Sequence, residues 1–263
     1  MNRAVKGIGV MAGVLAGQAA WARWRPLPTY SDLDPNGTEG PTDGTPLRLL
    51  VLGDSSCTGA GLDDPADIWV RVLARMLGDH GYRVGVASFA VGGSKAADVL
   101  RDQVGPAVAH GGDVALVSVG GNDALRGVGT RSFERTLDNA VAQLTASIPL
   151  VALSGVGDIG TVPRLPHAVA TAARRRAKSL NAAHGRVARR HGALVADQWA
   201  WAAARFRDPG VYAPDLFHPN AEGHQVWAAV GFELLAPVLT RSPEHQGSIR
   251  AIPDDRRPPD LSV

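Results

Sequence analysis

The stretch Leu49-Leu50-Val51-Leu52-Gly53-Asp54-Ser55-Ser56-Cys57-Thr58-Gly59 decides the fold. Its unbroken apolar run, followed at once by turn formers, reads as a short strand buried on both faces of a parallel sheet. Gly53 lets the chain turn tightly, and Asp54 can hydrogen-bond the backbone of that turn. Ser55 lies just past the strand's carboxyl end, where open α/β sheets place their ligands. Taken alone, the serine is either a nucleophile or an ordinary member of a strand-to-helix turn. Cys57 reads as small apolar packing.

Outward from this strand, apolar runs alternate with helical periodicity. A helix is expected from Asp67 to Asp79, with Ile68, Val72 and Met76 repeating every four residues and His80-Gly81 ending it. A second strand, Arg83 to Val91, runs into Gly92-Gly93-Ser94. The next helix, Ala96 to Val108, should break or kink at Gly105-Pro106. Val114 to Val119 is a third strand and ends at Gly120-Gly121-Asn122-Asp123. Further helices are expected over 132–147, 167–191 and 220–238, and further strands over 149–153 and 193–196. Strands separated by helices predict an α/β fold with a mainly parallel five-stranded sheet and helices on both faces.

The 263-residue length fits one such domain, and a hydrophobic content of 45% suffices for its core. Basic and acidic residues nearly balance, 27 against 25, so a polyanion partner is not indicated. The basic run Arg174-Arg175-Arg176 with Lys178 reads as a solvated helix face rather than a nucleic-acid or lipid site. A single cysteine excludes an internal disulfide.

Residues 1–22 have a basic start at Arg3 and Lys6, an uncharged segment, and a small-x-small site at Ala20-Trp21-Ala22. This is the layout of a secretory signal or an N-terminal membrane anchor, so the product should be secreted or held at the outer face of the cell membrane. Residues 23–46 read as a Pro/Gly-rich linker, with five prolines between Pro26 and Pro46. The domain should occupy 47–239, and 240–263 a disordered tail.

Three strand ends, at Ser55, Gly92-Gly93 and Asn122, should lie along one edge of the sheet. A later block, Asp215-Leu216-Phe217-His218, supplies a base and a carboxylate. Acyl transfer by serine needs a base, a group that orients it, and donors for the oxyanion. His218 has the intrinsic pKa for the base. Asp215, three residues earlier, can return to the imidazole within one turn. Asn122 offers a side-chain N–H, and the amides of Ser55 and Gly93 are the other natural donors.

Gly53-Asp54-Ser55 with Gly59, then Gly93, then Gly121-Asn122-Asp123, then Asp215-x-x-His218 resemble, in order and rough spacing, the four blocks of the SGNH (GDSL) hydrolase superfamily. The resemblance covers about 47–239. It implies a three-layer flavodoxin-like fold and hydrolysis of acyl esters, thioesters or acetylated saccharides with no metal or other cofactor. It assigns Ser55 as nucleophile, His218 as base, Asp215 as its partner, and Ser55, Gly93 and Asn122 as the oxyanion hole. Ser56 stands where the family name has leucine, and Ser88 where many members have asparagine. Two rivals stay open, a catalytically silent lipid- or carbohydrate-binding protein on the same fold and a metal-dependent phosphoesterase.

Other signals are weaker. Gly155-Val156-Gly157-Asp158-Ile159-Gly160 matches a dinucleotide fingerprint, but Pro163 and Pro166 forbid the helix that must follow. It reads instead as a flexible loop over the substrate site. His218 and His224 lack the spacing of a helical metal pair, and His224 is expected to be partly exposed. Trp199, Trp201, Phe206 and Tyr212 are either an acyl-pocket wall or core.

Overall fold

The computed structural model describes residues 30–239, together with Gly13 and Gly17. The expectations for 1–22, those two glycines apart, and for 23–29 and 240–263 lie outside the described residues. The strands are β1 (Gly37–Glu39), β2 (Thr45–Gly53), β3 (Tyr82–Ser88), β4 (Val114–Ser118), β5 (Leu150–Leu153) and β6 (Leu194–Val195). The helices are α1 (Trp69–Gly78), α2 (the abutting pieces Ala96–Asp98, Val99–Gln103 and Val104–His110), α3 (Gly121–Leu125), α4 (Thr130–Thr145), α5 (His167–His191), α6 (Gln198–Trp201) and α7 (Ala221–Leu239).

The sheet runs β1-β3-β2-β4-β5-β6, parallel throughout except for β1, which pairs antiparallel with β3. Without β1 this is the flavodoxin-like order, in which the chain reverses direction between β2 and β4. The opening stretch sits at that reversal. Leu49 and Val51 face a core shared with α1 and α7, while Leu50 and Leu52 face one shared with α2, α4 and α5. All four are fully buried. Alternation along a strand thus feeds two cores, and the three layers follow from it.

Two corrections concern the first half of the chain. The stretch 30–46, expected to belong to a linker, contributes the edge strand β1 and a run of hydrogen bonds to the domain. Its prolines and acids hid three paired residues whose stability comes from β3 and from the ion pair between Glu39 and Arg71. The helix expected to break or kink at Gly105-Pro106 does not break there but continues to His110. It widens into a π-helical turn at Val99–Gln103, just before the proline. A widened turn accommodates the missing N–H and the ring of a proline one turn later. It also aims the buried Gln103 at the end of β2. There its Oε1 accepts from Gly53 N (2.8 Å), and its Nε2 donates to Gly53 O (2.9 Å).

Candidate active site

The last residues of β2 and β4, Gly53 and Ser118, pair level with one another, so the loops after them start side by side. Gly53 permits this closeness, because a Cβ there would lie 2.2 Å from the Ser118 carbonyl oxygen. Ser55 and Asn122 leave these two strands and line one cavity of about 170 Å³, together with His218. Three of the four expected blocks meet in this cavity at the carboxyl edge of the sheet, and the Gly92-Gly93 block adjoins them through Ser94 O, which accepts from Asn122 Nδ2.

His218 is held from its own turn. Its Nδ1 lies 2.7 Å from Asp215 Oδ2, while Asp215 Oδ1 accepts from the amides of Phe217 (2.9 Å) and His218 (3.0 Å). The carboxylate is wholly shielded from solvent. An ionised carboxylate only accepts, so Nδ1 carries the proton and Nε2 stays free as a base. Leu216, between them, adopts φ 57°, which closes the turn within three residues.

Asn122 is the second residue of α3. Its Nδ2 donates to Asp54 Oδ2 (3.3 Å) and Ser94 O (3.2 Å). Asp54 is buried, and burial raises its pKa. Its other oxygen accepts from Ser56 N at 3.0 Å, so one side chain shapes the serine turn and orients Asn122. Gly93 lies in the Val91–Ser94 turn with φ 78° and does not line the cavity as Ser55, Asn122 and His218 do. Its amide has no acceptor among the described residues, whereas that of Gly92 donates to Asp32 Oδ2 at 2.9 Å. Of the two glycines, only Gly93 therefore has a donor to offer.

The substitution of Ser56 for the family's leucine builds a hydroxyl chain. Ser56 Oγ lies 2.9 Å from Ser118 Oγ, and Ser154 Oγ donates to Ser118 Oγ, also at 2.9 Å. All three serines line the cavity. Its apolar wall includes Trp69, Phe206, Tyr212 and Trp227. Of the four aromatics read as either wall or core, Phe206 and Tyr212 line the cavity, whereas Trp201 and Trp199 pack against the two cores, with Lys178 over the Trp199 ring. Trp69 and Trp227 were not expected here, because helical periodicity alone could not say which end of the sheet they reach.

Two other expectations change. His224 is fully buried, its Nδ1 accepting from Trp69 N at 3.1 Å, and burial pushes its pKa down to about 3. The loop after β5 covers the cavity as expected, but it is pinned: Asp158 accepts from Gly160 N and Arg174 Nε (both 2.9 Å), and Thr161 bonds Tyr212. A single 3-10 turn at Ile159–Thr161 follows, and the next α-helix begins only at His167, so no α-helix starts at the glycine fingerprint. Arg174 thus belongs to this pin, while Arg176 donates to the carbonyls of Ala124 and Val128 behind Asn122. Cys57 is packing, its thiol pushed up to about 12 by burial. Among the described residues no cluster of His, Cys, Asp and Glu could hold a metal ion, and no helix is long and apolar enough to cross a membrane.

His184, buried beneath Gly120, is likewise pushed down, to about 4, by burial. Both folded-state values lie below the unfolded value of about 6.5, so the unfolded chain takes up protons first. Stability from these two groups is complete above that value and falls as pH drops toward 4 and then 3. Thermal melts from pH 7.5 to 4.5 should show a falling Tm, flattened in His184→Gln and His224→Gln.

A mostly parallel sheet whose strand order reverses beside a serine, with an Asp-His turn at the same rim, is the α/β fold of the SGNH hydrolases. Within that class the chain belongs to the GDSL-like Lipase/Acylhydrolase family, whose model matches residues 51–226. It is 30% identical over 108 residues to esterase TesA of Pseudomonas aeruginosa, a match covering 41% of this chain and 53% of that protein. The chain therefore spans about half the length of this curated relative. A crystal structure of a TesA superposes with a TM-score of 0.61 at 22% identity, covering 73% of this chain and 99% of that one. The acetylxylan esterase Axe2 of Geobacillus stearothermophilus gives 0.57 at 20% identity, over 73% and 94%. At these identities the two structures establish the fold.

Proposed function

We propose that the protein is a serine esterase that cleaves carboxylic esters through an acyl-serine intermediate. The observation that carries this reading is the single cavity shared by Ser55 and His218, with His218 already paired to Asp215. Ser55 Oγ attacks the ester carbonyl carbon while His218 Nε2 takes its proton. The carbonyl oxygen becomes an oxyanion held by the amides of Ser55 and Gly93 and by Asn122. As the intermediate collapses, the C–O bond to the alcohol breaks and His218 returns the proton to the leaving oxygen. Water then gives a proton to His218 and attacks the acyl carbon, and the carboxylic acid leaves as Ser55 regains its hydrogen.

The apolar wall of Trp69, Phe206 and Trp227 suits an acyl chain, and the hydroxyl chain of Ser56, Ser118 and Ser154 suits a polar neighbour of the ester. Esters of fatty acids and acetylated saccharides both fit this division. A panel of p-nitrophenyl acyl esters and acetylated xylo-oligosaccharides tests the reading. Turnover that persists in chelator is expected, and turnover that chelator abolishes would favour the phosphoesterase class. Export or anchoring through residues 1–22 is proposed on their sequence pattern alone.

A further inference from the structure

Residues 30–36 precede the family match, which begins at Val51. Yet they touch three of the four expected blocks. Asp32 lies between two loops: its Oδ1 accepts from Thr58 Oγ1 at 2.6 Å, and its Oδ2 accepts from Gly92 N at 2.9 Å. Thr58 belongs to the serine loop, and Gly92 directly precedes the oxyanion donor Gly93. The neighbouring Leu33 N donates to Thr58 O at 2.9 Å, which ties the strap's backbone to the same loop. A Cβ at Gly92 would stand 2.5 Å from Asp32 Oδ1, so a larger residue there would push the carboxylate aside. At one end Tyr30 sets its ring edge-on to His218, with centroids 5.3 Å apart. At the other, Asn36 Oδ1 accepts from Ser88 N at 2.7 Å, and the chain enters β1.

We propose that residues 30–36 form a positioning strap for the active site, in which Asp32 fixes the Gly92–Gly93 turn against the Ser55 loop and Tyr30 backs the His218 ring. This deepens the esterase reading and rests on it. Val91 N already binds Gly53 O at 3.2 Å, which fixes only the start of the turn. Asp32 fixes its middle. By occupying the Gly92 amide it leaves the next amide, that of Gly93, as the donor. A charged acceptor between two loops gives shorter and stronger hydrogen bonds than a neutral one. Tyr30 meets the base edge-on and also reaches its partner Asp215. Burial raises the pKa of its hydroxyl, and the charge of Asp215 and a hydrogen-bonding contact with it raise it further.

The test uses the full-length chain and p-nitrophenyl acetate. Asp32→Ala should lower kcat about tenfold to a hundredfold with KM changed less than about twofold, because the oxyanion donor moves while the pocket stays. Asp32→Asn keeps one acceptor oxygen and should fall between that variant and the parent. If Asp32→Ala fails to fold, Asp32→Asn decides: a severalfold loss of kcat supports the strap, and a parental kcat overturns it. Tyr30→Phe keeps the ring and removes a donor that competes for Asp215. Asp215 then stabilises protonated His218 more, and the acidic limb of kcat/KM should move to higher pH. The titratable groups facing His218 are Asp215, Tyr30, Asp54 and His224. Parental kcat and an unmoved pH profile in these variants would sink the strap alone. A parent chain with no ester turnover would sink the esterase reading and the strap together.

Discussion

Ser55→Ala is expected to lower kcat for a p-nitrophenyl ester by at least about a thousandfold, while the far-UV spectrum and Tm stay close to those of the parent. The size follows from the mechanism: without the hydroxyl no acyl-enzyme forms, and only binding and the oxyanion donors remain to help water. The selectivity follows from the local structure. Ser55 Oγ makes no hydrogen bond among the described residues, and the serine turn is held by other groups. Those groups are Asp54, which accepts from Ser56 N (3.0 Å), and the Cys57 amide, which donates to Asp54 O (2.9 Å). The substitution therefore removes an oxygen that supports nothing in the free protein.

Asn122→Ala should cost about a hundredfold to a thousandfold in kcat, with KM altered less than about threefold, the pattern of a donor used mainly in the transition state. In the free protein both hydrogens of Asn122 Nδ2 are engaged, but over long contacts of 3.2 and 3.3 Å. Such contacts are easily exchanged, and catalytic hydrogen bonds often tighten only when substrate arrives. Removing the amide also leaves Asp54 buried with one partner fewer, so a modest drop in Tm accompanies the kinetic loss. A rise in KM at constant kcat would instead make Asn122 a ground-state binding group.

Much of this site was legible in the chain because its determinants are local. The run Leu49 to Leu52 fixes a buried strand whatever lies around it, and the residue after it must emerge at the sheet edge. Asp215 and His218 are three apart, so a single turn joins them. The parts that escaped reading depend on distant partners. Nothing within Gly37-Thr38-Glu39 marks a strand; its partner β3 lies more than forty residues on. His224 looks like a surface helix residue until α7 packs on α1 and Trp69 N takes its Nδ1. Gln103 reaches Gly53 only because the helix widens ahead of Pro106. Whether Trp199 walls the pocket or packs in a core stayed open in the sequence because the short helix α6 follows the two-residue strand β6, too brief a pair for either periodicity to assign a face.

The esterase reading stands on a proton passing between two side chains that arrive from opposite ends of the chain, and a mechanism-based label reads that directly. A fluorophosphonate probe should add a single phosphonyl group to the intact protein, and fragmentation should place it on Ser55. Labelling should be lost in His218→Ala. An adduct on any other residue, or an unlabelled protein that still hydrolyses esters, would contradict the assignment.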